Sequence, residues 1–107
     1  MSTATQGRAR EYQVRDHMTA AGWIPIMRAA ASKGAGDLLM GHPVRGGALV
    51  QVGTVSKRLG PADRARFVEA ADLIAAIPVL AVVVPRRGIS YWWVDSGSPA
   101  GWEQWKP

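Results

Sequence analysis

The sequence predicts a single α/β domain of order αβββαββ, with a central mixed five-stranded sheet flanked by helices, and three observations predict it. Residues 78–84 form a continuous apolar run of strand length, the kind that is buried on both faces of a sheet. A helical segment of crossover length, from Pro61 to about Ala76, precedes that run and suits two strands joined in parallel. Upstream of the helix, three short strand-like runs have short connections and suit an antiparallel meander.

Residues 1–5 are expected to fray. From about Gln6 to Ala21 the chain reads as a helix: Val14, Met18 and Ala21 follow helical spacing, and Gly22 supplies a C-terminal cap. Trp23 to Arg28 reads as a strand, with Pro25 placing it at an edge or a bulge. Small residues follow to Gly36, with Ser32, Lys33 and Gly34 at their centre. Asp37 to Met40 is a short strand, Gly41 to Gly47 a turn by composition, and Ala48 to about Val55 a strand. Pro61 suits the first position of the second helix, whose core stripe is Phe67, Ala71 and Ile74. Pro78 to Val84 is the buried strand, Arg86-Arg87-Gly88 a turn, and Ile89 to Val94 the last strand. There Tyr91 and Trp93 are expected inward and Trp92 outward, most readily explained by a dimer interface, then by core packing, then by stacking on opened bases. Residues 95–107 form a tail in which Trp102 and Trp105 pin the chain to its own body or to a partner subunit.

A chain of 107 residues is one domain with one modest core. The lack of cysteine excludes a disulfide scaffold, a Cys-ligated zinc and a thiol nucleophile. Two histidines, His17 and His42, are too few for a typical zinc enzyme. No apolar run has the length of a membrane span, so no membrane partner is expected, and the polar residues 1–6 point to an intracellular, cytoplasmic location. Thirteen Lys and Arg against eight Asp and Glu give a formal charge of +5. A small basic domain suits a polyanionic partner, usually nucleic acid; a solvated basic surface is the competing reading, and charge alone does not choose between them.

Three oxygen-bearing residues stand out. Glu11 lies three residues before Val14 and seven before Met18, which puts it on the apolar helix face at the N-terminal end. An unpaired carboxylate there is costly unless a metal ion or an arginine compensates it; at the solvent rim it would instead favour the helix macrodipole. Asp37 follows Gly34-Ala35-Gly36 at the mouth of a strand, where it either faces a site or stabilises a turn. Gln51 sits inside Ala48-Leu49-Val50-Gln51-Val52, on the face of Leu49 and Gly53, and needs a hydrogen-bond partner or a ligand. Its amide oxygen and the Val52 backbone carbonyl are competent hard-cation ligands. Converging on one ion, such oxygen donors favour magnesium or manganese over zinc, and the ion can activate water and neutralise charge on a phosphodiester.

Gly7, Arg8, Glu11, Tyr12, Val14 and Arg15, then Arg28, Ser32, Gly34, Asp37 and Leu38, then Leu49-Val50-Gln51-Val52, together resemble the motifs of the PD-(D/E)XK nucleases. Within them the chain is similar to the archaeal-type Holliday junction resolvases and their phage and bacterial relatives, over about residues 6–94. The resemblance implies a restriction-endonuclease-like fold and a metal-dependent endonuclease, usually a homodimer, that cuts a four-way DNA junction on two strands with Mg2+ or Mn2+. It implies Glu11 and Asp37 as metal ligands. Gln51 stands where the family has Glu and some members Gln, and Ser32 falls in the loop that in relatives approaches the scissile phosphate. The family motif ends in a lysine two residues after the acidic or amide position; here that residue is Gly53. Lys57 has the same strand parity but lies about 13 Å further along an extended strand. Lys33 is the other substitute within sequence reach.

Arg8, Arg10, Arg15, Arg28, Lys33, Lys57 and Arg58 are the residues expected to contact DNA, chiefly its phosphates. Arg64 and Arg66 are expected on an exposed helix face, paired locally with Asp63 and Glu69. Three functions compete. A junction resolvase needs Glu11, Asp37 and Gln51 to act together; a weak or inactive relative that binds branched DNA is favoured by Gly53; a basic protein-interaction module would use the tryptophan-rich end. A two-fold dimer matches the symmetry of a four-way junction and sets two sites for paired cuts.

Overall fold

The computed structural model describes residues 3–28, 36–54 and 59–107, with side chains from residue 7 onward. In chain order the elements are α1 (Thr3–Ala20), β1 (Ile24–Arg28), β2 (Leu38–His42), β3 (Gly46–Thr54), α2 (Pro61–Leu73), β4 (Ala76–Val84), β5 (Gly88–Trp93), a 3-10 turn at Pro99–Gly101 and β6 (Glu103–Gln104). The strands form one mixed sheet in the order β1-β2-β3-β4-β5-β6. β3 and β4 pair in parallel across α2, and every other neighbouring pair is antiparallel. The meander and the crossover are therefore where the sequence places them.

Side-chain alternation on the two long central strands builds two cores. Ala48, Val50 and Val52 of β3, with Val79, Ala81 and Val83 of β4, meet Val14 and Met18 of α1 on one face. Leu49 and Leu80 meet Phe67 and Ala71 of α2 on the other. Val50 and Val79 are paired across the strands and have no exposed surface; each such burial contributes roughly 1.5–3 kcal/mol. Pro25 sits at the register shift of β1, which is the edge strand, as a residue without a backbone N–H requires.

Five expectations are corrected. The sheet has six strands, because Glu103 and Gln104 of the tail pair with Trp93 and Trp92; two residues are too few to carry a periodicity. α1 begins at Thr3, three residues before the start expected near Gln6. α2 stops at Leu73, and Ile74 is half exposed. The cause is Ala75, whose φ of 54° turns the chain so that Ala76 can pair with Gly47. Trp93 is 46% exposed, whereas Trp92 packs against the α2 core beside Trp102. Trp105, not Trp93, joins Tyr91 in the α1 core, because the returning tail hydrogen-bonds Trp105 N to Tyr91 O and lays its indole there. Arg64 is half-buried rather than exposed.

The strand register also defines the ends of the sheet. Arg28 is opposite Leu38, and Leu38 opposite Val50, so Arg28, Asp37 and residues 51–54 share one end. Val84 and Gly88 lie there too. Each helix connects its C-terminus to the start of a strand at the opposite end, so the N-termini of α1 and α2 point toward the Asp37 end.

Candidate functional site

Asp37 is held at the entry to β2 by its own backbone and side chain. Its N–H donates to Val50 O at 2.8 Å. Its Oδ2 accepts from the Gln51 Nε2 at 3.0 Å and from the Val52 N–H at 2.8 Å. Gly36 makes this entry: at φ +93° it passes so close to β3 that a Cβ would lie 2.8 Å from Leu49 Cδ1 and 3.3 Å from Phe67 Cε1. Only glycine combines that conformation with that approach. The partner that an amide inside an apolar strand requires is thus Asp37, and Gln51 and Asp37 are both half-buried. In an extended strand the N–H and C=O of one residue point to the same neighbour, so the Val52 carbonyl leaves β3 on the side of Asp37.

Glu11 has a different partner. Its Oε1 accepts from Arg28 Nε at 2.8 Å, with the Glu11 side chain 17% and the Arg28 side chain 32% exposed. An arginine therefore compensates the helix-face carboxylate. Arg28 is opposite Leu38, whose side chain belongs to the α1 core, so this ion pair lies on the α1 face of the sheet. Gln51 shares the parity of Leu49 and so lies on the α2 face, where its side chain bonds Asp37. The structure brings Asp37, Gln51 and Val52 together and sets Glu11 with Arg28 at the same end of the sheet. Among the described residues no three of His, Asp and Glu gather as a metal cluster. Ser32, Lys33, Lys57 and Arg58 lie outside the described residues.

The arginines at this end are arranged around Tyr12. The Arg15 guanidinium carbon is 4.6 Å from the Tyr12 ring centre and that of Arg28 is 5.5 Å from it. Arg15 also pairs with Asp16 at 2.9 Å. Arg8 is exposed and Arg10 half exposed on the N-terminal half of α1. Arg66 is exposed and pairs with Asp63 at 2.6 Å, as expected. Arg64 is the residue that sequence reasoning misplaced. It lies three residues before Phe67 and seven before Ala71, both buried, which is the spacing of one helix face. That signal was legible, but the charge of Arg64 drew it to the solvent side.

The donors near Asp37 suit a hard cation. A carboxylate, an amide oxygen and a backbone carbonyl are all oxygen ligands of the kind that bind magnesium or manganese. They carry a single negative charge, so the set fits one ion held less tightly than by two carboxylates.

No protein-family model matches the chain. No curated protein matches it either. Among solved structures it is similar to Hjc, a Holliday junction resolvase from the archaeal hyperthermophile Archaeoglobus fulgidus. The TM-score is 0.69 at 19% sequence identity, covering 80% of this chain and 70% of that one. The chain thus has the fold of a resolvase: one α/β domain in which two helices cover a six-stranded mixed sheet.

Proposed function

We propose that the protein is a metal-dependent, structure-selective DNA endonuclease that resolves four-way junctions by paired nicks. The observation that carries this reading is the junction of Asp37, Gln51 and the Val52 backbone at one end of a resolvase-like sheet. Asp37, the Gln51 amide oxygen and the Val52 carbonyl would hold Mg2+ or Mn2+, and the ion would supply water activation and charge neutralisation at the phosphodiester. Glu11 would serve the same ion from the other face once Arg28 is drawn to DNA. Arg8, Arg10, Arg15 and Arg28 lie on the elements that approach this end and would take the phosphates, together with Lys33, Lys57, Arg58 and Ser32. The substrate is branched DNA, and the active form is a homodimer whose two sites match the two cuts.

The test is an immobile, labelled four-way junction and a matching linear duplex, each incubated with magnesium, manganese or chelator, alongside Asp37→Asn. Symmetric junction nicks that disappear in chelator and in Asp37→Asn are the expected result. Cutting that persists in chelator, or equal cutting by Asp37→Asn, would sink it. A second reading is favoured by Gly53, which is buried and has no side chain to offer a phosphate: a relative that binds junctions without cutting. Tight junction binding with no nick in either metal would establish that reading.

A further inference from the structure

We infer that Arg64 supplies the phosphate-directed cation of this site, in the place where the neighbouring strand offers only Gly53. The inference rests on the nuclease reading above. Arg64 is in the first turn of α2 and is half-buried. Its Nε is buried and has no hydrogen-bond partner among the described residues. Its Nη1 makes one long contact, 3.4 Å, to Leu59 O. A guanidinium carries five donors and cannot lose its charge, so a half-buried one with so few acceptors is expected to meet an anion that arrives from outside.

The position of Arg64 says where that anion would sit. A Cβ on Gly36 would touch both Leu49 and Phe67, which puts Phe67 on the level of Leu49. α2 runs back along the sheet against the direction of β3, because it returns the chain to the start of a parallel strand. One turn toward its N-terminus, about 5 Å, brings Arg64 toward the level of Gln51, two residues or about 7 Å beyond Leu49. Helical side chains lean toward the helix N-terminus, which carries the guanidinium further in the direction of Gly53. Leu49, Gln51 and Gly53 share the face that α2 covers, and Asp37 bonds to Gln51 on that face. Arg28, which is also at this end, is on the opposite face and paired with Glu11. Arg64 is therefore a described, half-buried cation placed on the Asp37 side of the sheet. There it would bind a non-bridging oxygen of the phosphate that meets the ion, and it would stabilise the charge that builds up on that oxygen.

Wild type, Arg64→Gln, Arg64→Lys and the double variant Gly53→Lys/Arg64→Gln separate this from a structural role. Each is titrated with the four-way junction in chelator over a range of salt, melted, and then assayed for nicking in magnesium or manganese. Arg64→Gln should lower the slope of log affinity against log salt by about 0.9, the loss of one phosphate contact. Its melting temperature should be unchanged or higher, since it removes a buried donor with no partner. Nicking should fall on the order of a hundredfold, as for loss of one electrostatic stabiliser. Arg64→Lys should keep the slope, and Gly53→Lys should restore nicking in the Arg64→Gln background. An unchanged salt slope in Arg64→Gln while the wild type binds DNA overturns the role of Arg64 and leaves the nuclease reading standing. A slope that falls only together with the melting temperature overturns it in favour of a structural role. A wild type that binds neither junction nor duplex overturns both.

Discussion

At the scale of single residues, the pairing of Asp37 with Gln51 explains why an amide serves here. A carboxylate in place of Gln51 would stand about as close to Asp37 as the present 3.0 Å hydrogen bond. Two such charges repel unless a cation sits between them. Gln51→Glu should therefore destabilise the metal-free protein, on the order of 1–3 kcal/mol, through the lost hydrogen bond and the new repulsion. Magnesium should recover much of that loss, and should raise the melting temperature of the variant more than that of the wild type. Thermal unfolding in chelator and in magnesium checks both statements; equal stability of the two proteins in chelator would remove the argument. Tyr91 offers a test that is independent of metal. Its hydroxyl bonds to His17 Nδ1 at 2.8 Å, and its burial pushes the phenol well above its ordinary pKa. The folded state thus favours the neutral phenol. That stability is complete below the unfolded value near 10 and is lost as the pH rises toward the higher folded value. Melting temperatures taken from pH 8 to 11 should fall more steeply above about pH 10 in the wild type than in Tyr91→Phe.

At the scale of elements, α2 ties the crossover to the candidate site through Phe67. Its ring is 2% exposed, belongs to the core with Leu49, and abuts the backbone of Gly36 next to Asp37. Phe67→Ala should cost about 3–5 kcal/mol as a large-to-small core change. It should also weaken function beyond that loss, because the strand entry that presents Asp37 has lost its backing. Chemical denaturation, with DNA binding measured where the variant is still folded, checks the two effects separately. Much of this architecture was legible from the sequence, for physical reasons. Residues 78–84 are apolar on both faces because the central strand is covered by a helix on each side, and Pro25 marks an edge because it cannot donate a ladder hydrogen bond. The partner of Gln51 was legible as a requirement, but its identity was not, since Asp37 reaches it across a strand pair whose register lies outside local pattern. The ends of elements were harder. Ile74 fits the helical stripe, yet pairing of Ala76 with Gly47 takes the chain off the helix first. Trp92 and Trp93 alternate as expected, but which face is covered is decided by a tail with almost no strand signal of its own.

At the scale of the whole molecule, function and folding occupy different parts of the sheet. The candidate site is at one end, where both helix N-termini and the arginines around Tyr12 lie. The far edge is closed by the tail, which places Trp105 in the α1 core and Trp102 in the α2 core. Both indoles are buried, at 4% and 8% exposure. A chain ending at Gly101 would lose both lids, and each tryptophan is worth about 3–5 kcal/mol on the scale of large core truncations. Since small domains have a total stability of only about 5–15 kcal/mol, that chain should be largely unfolded. A circular dichroism melt that shows a cooperative transition near that of the full chain would contradict this. The same arrangement orders events during synthesis. By the time residue 100 has been added, every catalytic candidate and all five long strands exist, yet each core still lacks the tryptophan that completes it. Growth at about 5–20 residues per second would leave only a short interval before they are delivered. A nascent polypeptide would therefore complete its two cores only once translation has passed Trp105.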